Sequence, residues 1–327
     1  MNNLFKEHVK KAQNIIITTH IYPDADGIGS QIALCMALKS IGKNAICVNE
    51  MPLFDRYKYL DPQDVVISYQ EYMDKPFTEI DLLIVADTNS LPRIGKNTQE
   101  LVLNSKELLF IDHHPCPREL KSIHCIDTSM AATGELVGNL ISDIGVEFTH
   151  PIALALYTAI LIDTSSFRYP TVSANTHRLI AKLMDTGVRP PRAFNQINGT
   201  KKIGYMRLIG EVLSSAQTNE SEEVAWICLN EEMIDKHKSD AEDTHGFINH
   251  LLILDNIKVA CMFRQNGKSV KLSMRSADAN IDVGVMAQAL GGGGHNHSAA
   301  TVLEGTLEDI VKNSIEKIQL MIDGSKD

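Results

Sequence analysis

Residues 80–87 read Ile80-Asp81-Leu82-Leu83-Ile84-Val85-Ala86-Asp87. An almost unbroken apolar run of strand length, stopped by an acid, is the pattern of a parallel strand covered on both faces. Working outward, Ile15 to Thr19 forms a second such run, with His20 at its end and Asp24 and Asp26 just beyond. Leu108 to Ile111 forms a third and runs into Asp112-His113-His114. Ala45 to Val48 is a shorter strand. Between the first two strands, Ile28 to Ile41 carries apolar residues at helical spacing and stops at Gly42. This alternation predicts an α/β fold with a doubly wound, mainly parallel sheet.

From Thr133 to about Gly187 the pattern turns largely helical, and Pro190-Pro191 opens a further helical stretch to about Ser215. Gln217 to Glu223 is polar and without apolar period. Beyond it, Val224–Leu229, Lys258–Arg264 and Ser269–Met274 read as strands. Helices are expected near Gly246–Leu254, Val283–Leu290 and Leu307–Ile322. The expected organisation is a first domain over 1–190, a helical linker over 191–222 and a smaller α/β domain over 223–327.

Composition narrows the function. The 327 residues include 31 basic and 41 acidic side chains, a formal charge of −10. That balance disfavours a protein that coats long duplex DNA or lies on anionic lipid. A small anionic substrate held by metal ions and a few arginines remains compatible. The polar N-terminus has no secretory pattern, and the longest apolar run, Ile152 to Ile162, is about half the ~20 residues a membrane span needs. The six cysteines form no Cys-x-x-Cys pair, which fits reduced thiols and a cytoplasmic protein. Aromatics make up 6% and show no interleaving with basic residues, which favours a short substrate over a long single strand.

Three strands ending in ligand-type residues carry the chemistry. Ligands of open parallel sheets bind outside the carboxyl ends of the strands, so these groups converge on one edge. Asp163, after the buried run 152–162, can reach the same edge. Taken singly, an Asp after a strand is usually a cap or turn former, and Pro23-Asp24-Ala25-Asp26-Gly27 passes as a loop. Three such strand ends in one fold change that reading. Clustered carboxylates repel unless a cation lies between them, and an Asp/His set without cysteine suits Mn²⁺ or a similar divalent ion. Two ions about 3.5–4 Å apart can serve a phosphoryl transfer.

These segments resemble the four motifs of the DHH phosphoesterase superfamily. The motifs are His20-Ile-Tyr-Pro-Asp24-Ala-Asp26-Gly-Ile-Gly-Ser30, then Asp87 with Arg93-Ile94-Gly95, then Asp112-His113-His114, and last Asp163-Thr164 with Phe167-Arg168-Tyr169. The C-terminal half is similar to the DHH-associated substrate domain through Lys271-Leu-Ser-Met-Arg275-Ser276, Gly291-Gly292-Gly293-Gly294-His295 and the block Thr244 to Asn249. The resemblance implies that His20 and Asp24 hold one ion, that Asp87 bridges two, and that Asp26, His113 and Asp163 complete the second site. It gives Asp87 and His114 catalytic roles, His114 facing the substrate phosphate, and leaves Asp112 to orient a histidine. Arg275, Gly291, Gly292, Gly293, Gly294 and His295 are the expected substrate contacts. A glycine run lets backbone N–H groups approach a phosphate, and arginine can grip one bidentately. A flexible loop and a surface arginine are the plainer readings of the same residues.

Length and domain pair look most like the stand-alone nanoRNases that also act on 3′-phosphoadenosine 5′-phosphate (pAp). The resemblance therefore implies a Mn²⁺-dependent oligoribonuclease acting on RNA of two to five nucleotides, and on pAp, through a hydroxide held between two metal ions in a cleft between the domains. It also implies homodimerisation. A cyclic di-AMP or pApA phosphodiesterase on the same scaffold is the nearest alternative, and a non-catalytic nucleotide sensor a remote one. One departure concerns the substrate loop, where His295-Asn-His297-Ser-Ala-Ala-Thr301 replaces the usual ending of Ala-Ala-Gly and leaves the loop's shape open.

Overall fold

The structure, a computed structural model, describes residues 2–116, 122–199, 201–239, 241–278, 280–294 and 296–324. The chain divides into two compact units, Met1–Thr200 and Lys201–Asp327.

The first unit is built on six strands: β1 (Asn14–Thr18), β2 (Asn44–Asn49), β3 (Val66–Ser68), β4 (Ile80–Ala86), β5 (Ser105–Asp112) and β6 (Ile123–Ile126). Their order is β3-β2-β1-β4-β5-β6, and every pair is parallel. The continuous apolar runs follow from burial on both faces. Ile15, Ile17, Leu82 and Ile84 belong to one core, and Ile16, Leu83, Val85 and Phe110 to the other. The chain order reverses between β1 and β4, and this switch point opens a crevice at their carboxyl ends.

Three helices lie against the first of these cores: Ala25–Ser40, Thr133–Asp143 and His150–Asp163. The last is buried on nearly all sides, as the uninterrupted run 152–162 requires. Close approach depends on small residues. A Cβ on Gly134 would lie 2.6 Å from Ala159 Cβ and 3.3 Å from Asp26 Oδ1. A larger residue there would push the start of helix Thr133–Asp143 away from the carboxyl edge of the sheet.

In the second unit, β7 (Gln217–Thr218), β8 (Val224–Leu229), β9 (Val259–Asn266), β10 (Ser269–Ser276), β11 (Gly293–Gly294) and β12 (Ser298–Glu304) form a mixed sheet in the order β11-β12-β10-β9-β8-β7. Only β8 and β9 run parallel. Val259, Cys261 and Phe263 face one core, which includes Ile318 and Ile322 of helix Leu307–Gly324. Ala260 and Met262 face another, which includes Leu208 and Val212 of helix Ile203–Ser214.

The stretch 191–222, expected as a helical linker, is shared between the units instead. Helix Pro190–Asn198 places Ala193 in the first core, whereas helix Ile203–Ser214 packs into the second unit. The helix expected near 246–254 is a 3₁₀ helix over Ala241–Ile253, with the poor helix former Gly246 inside it. The cysteines are free thiols, four of them buried. No helix of the described residues is long and apolar enough to cross a membrane.

Candidate metal centre

Each strand end delivers its residue by a different local device. Asp24 is the N-cap of helix Ala25–Ser40, its Oδ1 accepting from the N–H groups of Asp26 (2.9 Å) and Gly27 (3.2 Å). Asp87 has a left-handed backbone (φ 64°), which turns the chain sharply out of β4. Asp tolerates that region better than most residues. His113 and His114 follow Asp112 at the end of β5. Asp163 is the final residue of helix His150–Asp163 and is the more solvent-facing of the acids around His113. A carboxylate at the negative end of a helix is unfavourable until a cation faces it.

These residues meet. His20 Nε2 lies 3.5 Å from Asp87 Oδ2 and 4.0 Å from Asp24 Oδ1. His113 Nε2 lies 3.3 Å from Asp163 Oδ2 and 3.9 Å from Asp26 Oδ2. His114 Nδ1 is 3.8 Å from Asp87 Oδ1 and hydrogen-bonds Asp112 Oδ1. Three groups of potential ligands result, each with its atoms within 4.8 Å: His20–Asp24–Asp87, Asp26–His113–Asp163 and Asp87–His113–His114. Asp87 belongs to two of them, with Oδ2 towards His20 and Oδ1 towards His114.

The electrostatics are unfavourable as they stand. Burial pushes Asp26 well above the usual carboxylate range, and the charge of Asp87 adds to it. Burial does the same to Asp87, reinforced by Asp24 and Asp112. Burial lowers His20 and His114. His113 is also penalised by burial, but Asp26, Asp87 and Asp112 outweigh the penalty and raise it. Its Nδ1 sits 3.2 Å from the carbonyl of Met130, which can only accept, so Nδ1 carries the proton. In neutral imidazole, Nε2 then aims a lone pair at two carboxylates. Asp112 adds a buried Oδ2 that accepts no hydrogen bond among the described residues. Oxygen- and imidazole-rich donors that repel one another fit a hard or borderline divalent cation, so the residues present suit the metal ions expected there.

Sequence reasoning missed the support behind these ligands. Asp26 accepts from the N–H groups of Thr133 (2.7 Å) and Gly134 (2.8 Å), at the positive start of helix Thr133–Asp143, and from Ser30 Oγ at 3.2 Å. Thr133 Oγ1 donates to Asp87 Oδ1 at 2.9 Å, tying two of the acids to one residue. The fourth motif hides a strained turn, with Ser165, Ser166 and Phe167 all left-handed (φ 48°, 63° and 64°). Arg168 holds it by donating from Nε to the Ser165 carbonyl and from Nη2 to Ser165 Oγ, both at 2.8 Å.

In the second unit, Arg275 lies near the end of β10, where it pairs with Ser298 of β12. Its half-buried guanidinium donates from Nη1 to the Met274 carbonyl at 3.0 Å. Gly294 pairs with Ala299 on the other side of β12. Two strand spacings therefore separate Arg275 from the glycine run, roughly 10 Å. The run is not a loose loop. The N–H of Gly291 bonds the Gln288 carbonyl (3.0 Å) and that of Gly292 bonds the Ala287 carbonyl (2.7 Å). Both therefore close helix Val283–Ala289 rather than reach for a phosphate. Gly293 and Gly294 form β11. Thr301, the departure in the loop, donates from Oγ1 to the Leu290 carbonyl at 3.0 Å. His295 lies outside the described residues.

A parallel switch-point crevice lined by these acids and histidines defines the class, a divalent-metal-dependent phosphoesterase. The family comparison is direct: the model of the DHH family N-terminal domain matches residues 14–160 and that of the DHHA1 domain residues 224–321. The chain belongs to the DHH family. It is 31% identical over 295 residues, 89% of its length and 84% of the relative's, to the bifunctional oligoribonuclease and PAP phosphatase NrnA of Thermus thermophilus. The protein of the same description from Bacillus subtilis is 23% identical over 86% of both chains. Among solved structures, an exopolyphosphatase-related protein from Bacteroides fragilis superposes with a TM-score of 0.90 at 27% identity, covering 100% of this chain and 97% of that one.

Proposed function

We propose that this protein hydrolyses RNA fragments of two to five nucleotides to nucleoside monophosphates, and pAp to AMP, with two Mn²⁺ ions held by His20, Asp24, Asp26, Asp87, His113 and Asp163. The observation that carries the reading is the convergence of these six side chains at the carboxyl edge of the parallel sheet, in groups whose potential ligand atoms lie within 4.8 Å of one another. The names borne by the Thermus and Bacillus relatives support the substrate class. Bound divalent ions would supply Lewis acidity and lower the pKa of water at the site.

The chain's own residues supply the rest. Asp87, anchored by Thr133 Oγ1, serves two of the three groups of potential ligands from opposite oxygens. Asp112 accepts a hydrogen bond from His114 Nδ1–H, which fixes the ring and leaves Nε2 as the nitrogen that meets substrate phosphate. Only as the imidazolium, with a second proton taken from solvent, does His114 hand its Nε2 proton to the leaving oxygen. Arg275 grips a terminal phosphate of the substrate through its guanidinium. The Gly291–Gly294 segment, bound into a helix cap and a strand, holds a fixed backbone on the other side of β12.

The test incubates purified protein and Mn²⁺ separately with RNA of two, three, five and about twenty nucleotides, pAp, pApA and cyclic di-AMP. Rates that peak at two to five nucleotides and collapse for the long strand are expected. A higher kcat/KM for cyclic di-AMP than for the short RNAs would overturn the reading.

A further inference from the structure

Tyr22 stands in the first motif between His20 and Asp24, two residues from each. It is 75% exposed, whereas the other seven tyrosines are buried or half-buried. Its backbone is nevertheless fixed. The N–H of Ile21 bonds the Arg93 carbonyl at 2.7 Å, Pro23 is buried, and Asp24 caps the following helix. A rigid segment therefore holds a large aromatic ring in water beside two candidate ligands, where neither the fold nor the metal centre uses it.

We propose that Tyr22 is the stacking platform for the nucleobase of the nucleotide whose phosphate lies at the carboxylate–histidine cluster. This rests on the nucleotide-hydrolase reading above and makes Tyr22 a specificity-determining residue within the first unit. Stacking needs only a π-face and tolerates any base, so the platform selects for the presence of a base and not for its identity.

The experiment measures Kd by calorimetry for a non-hydrolysable dinucleotide with a methylene phosphonate linkage and for its abasic counterpart. The proteins are wild type, Tyr22→Ala and Tyr22→Phe, with pApA turnover assayed in parallel. Wild type should bind the base-bearing ligand about 5- to 100-fold more tightly than the abasic one. Tyr22→Phe should keep that ratio, and Tyr22→Ala should bring it close to one. Because the ratio is taken within each protein, a general loss of folded protein cancels. An unchanged ratio in Tyr22→Ala overturns the platform. Wild-type protein that does not hydrolyse pApA would instead sink the proposed function, and the Kd ratio would still decide the role of Tyr22.

Discussion

The two units arrange their polar groups with opposite sheet designs. In the first, all six strands run parallel, so every carboxyl end lies on one edge and the residues that follow β1, β4 and β5 meet there. In the second, neighbouring strands mostly run antiparallel, so ends alternate between edges and residues meet across the register, as Arg275 and Gly294 do on either side of β12. Among the described residues, every group of potential metal ligands lies in the first unit. Parallel topology concentrates like charge, which suits metal-dependent chemistry. Antiparallel pairing spaces such groups out.

The strongest way to break this division is Asp87→Asn, which removes the acid shared by two ligand groups. Turnover should fall on the order of 10³-fold, the scale of losing a main electrostatic contact to the reacting group. The metal-free protein should melt no lower than wild type, since a buried repelling charge has gone. Substantial activity in steady-state assays with Mn²⁺ would show that the cluster is not the reaction centre. Asp112→Asn is the next test. It should cost about 10- to 100-fold in kcat, because the acceptor-only carboxylate beside His114 Nδ1 becomes a neutral amide whose NH₂ can face the ring and favour the other tautomer. KM should barely move, and an equal loss in both parameters would place Asp112 elsewhere in the mechanism.

Arg275→Lys probes the other side of the comparison. It should raise KM about tenfold with little change in kcat, as expected for a lost charge-assisted contact of ~1.5 kcal/mol. A fall in kcat alone would mean that the second unit takes part in the chemistry.

The charge crowding of the first unit makes its own prediction about metal removal. Asp26 and Asp87 are both raised, so the folded metal-free protein binds more protons than the unfolded chain. Its stability should therefore decline as pH rises from about 4, the unfolded carboxylate range, towards 7. Mn²⁺ should reverse the trend and release protons on binding, visible as a dependence of calorimetric heat on the buffer's ionisation enthalpy. Stability that climbs across that range without metal would contradict the crowding. The smallest effect belongs to the turn after Asp163, where Ser166→Gly should stabilise the protein by ~1 kcal/mol in urea unfolding, since glycine adopts the left-handed region without penalty.

Much of the centre was legible because each ligand sits next to a local signal. An apolar strand announces its own end, and the residues after it are fixed by topology once the strands are known to be parallel. The support was not legible, because it is remote. Thr133 and Asp26 are 107 residues apart and look like ordinary members of two separate helices. Tyr22 lay inside a recognised motif, yet only its exposure sets it apart from a packing residue. The glycine run shows the converse. Its composition pointed to open backbone donors, whereas the N–H groups of Gly291 and Gly292 had already been taken by the end of a helix.

By itself, then, the sequence determined the strand pattern, the parallel first sheet, and which acids and histidines stand at its carboxyl edge, because side-chain burial and strand ends are local properties with a fixed period. Tertiary structure alone decided which oxygen of Asp87 faces which partner, that the start of helix Thr133–Asp143 braces Asp26, and that Tyr22 stands in water beside the centre. Those outcomes depend on how helices more than a hundred residues apart pack to within a few ångströms, and no local pattern in a chain encodes such a distance.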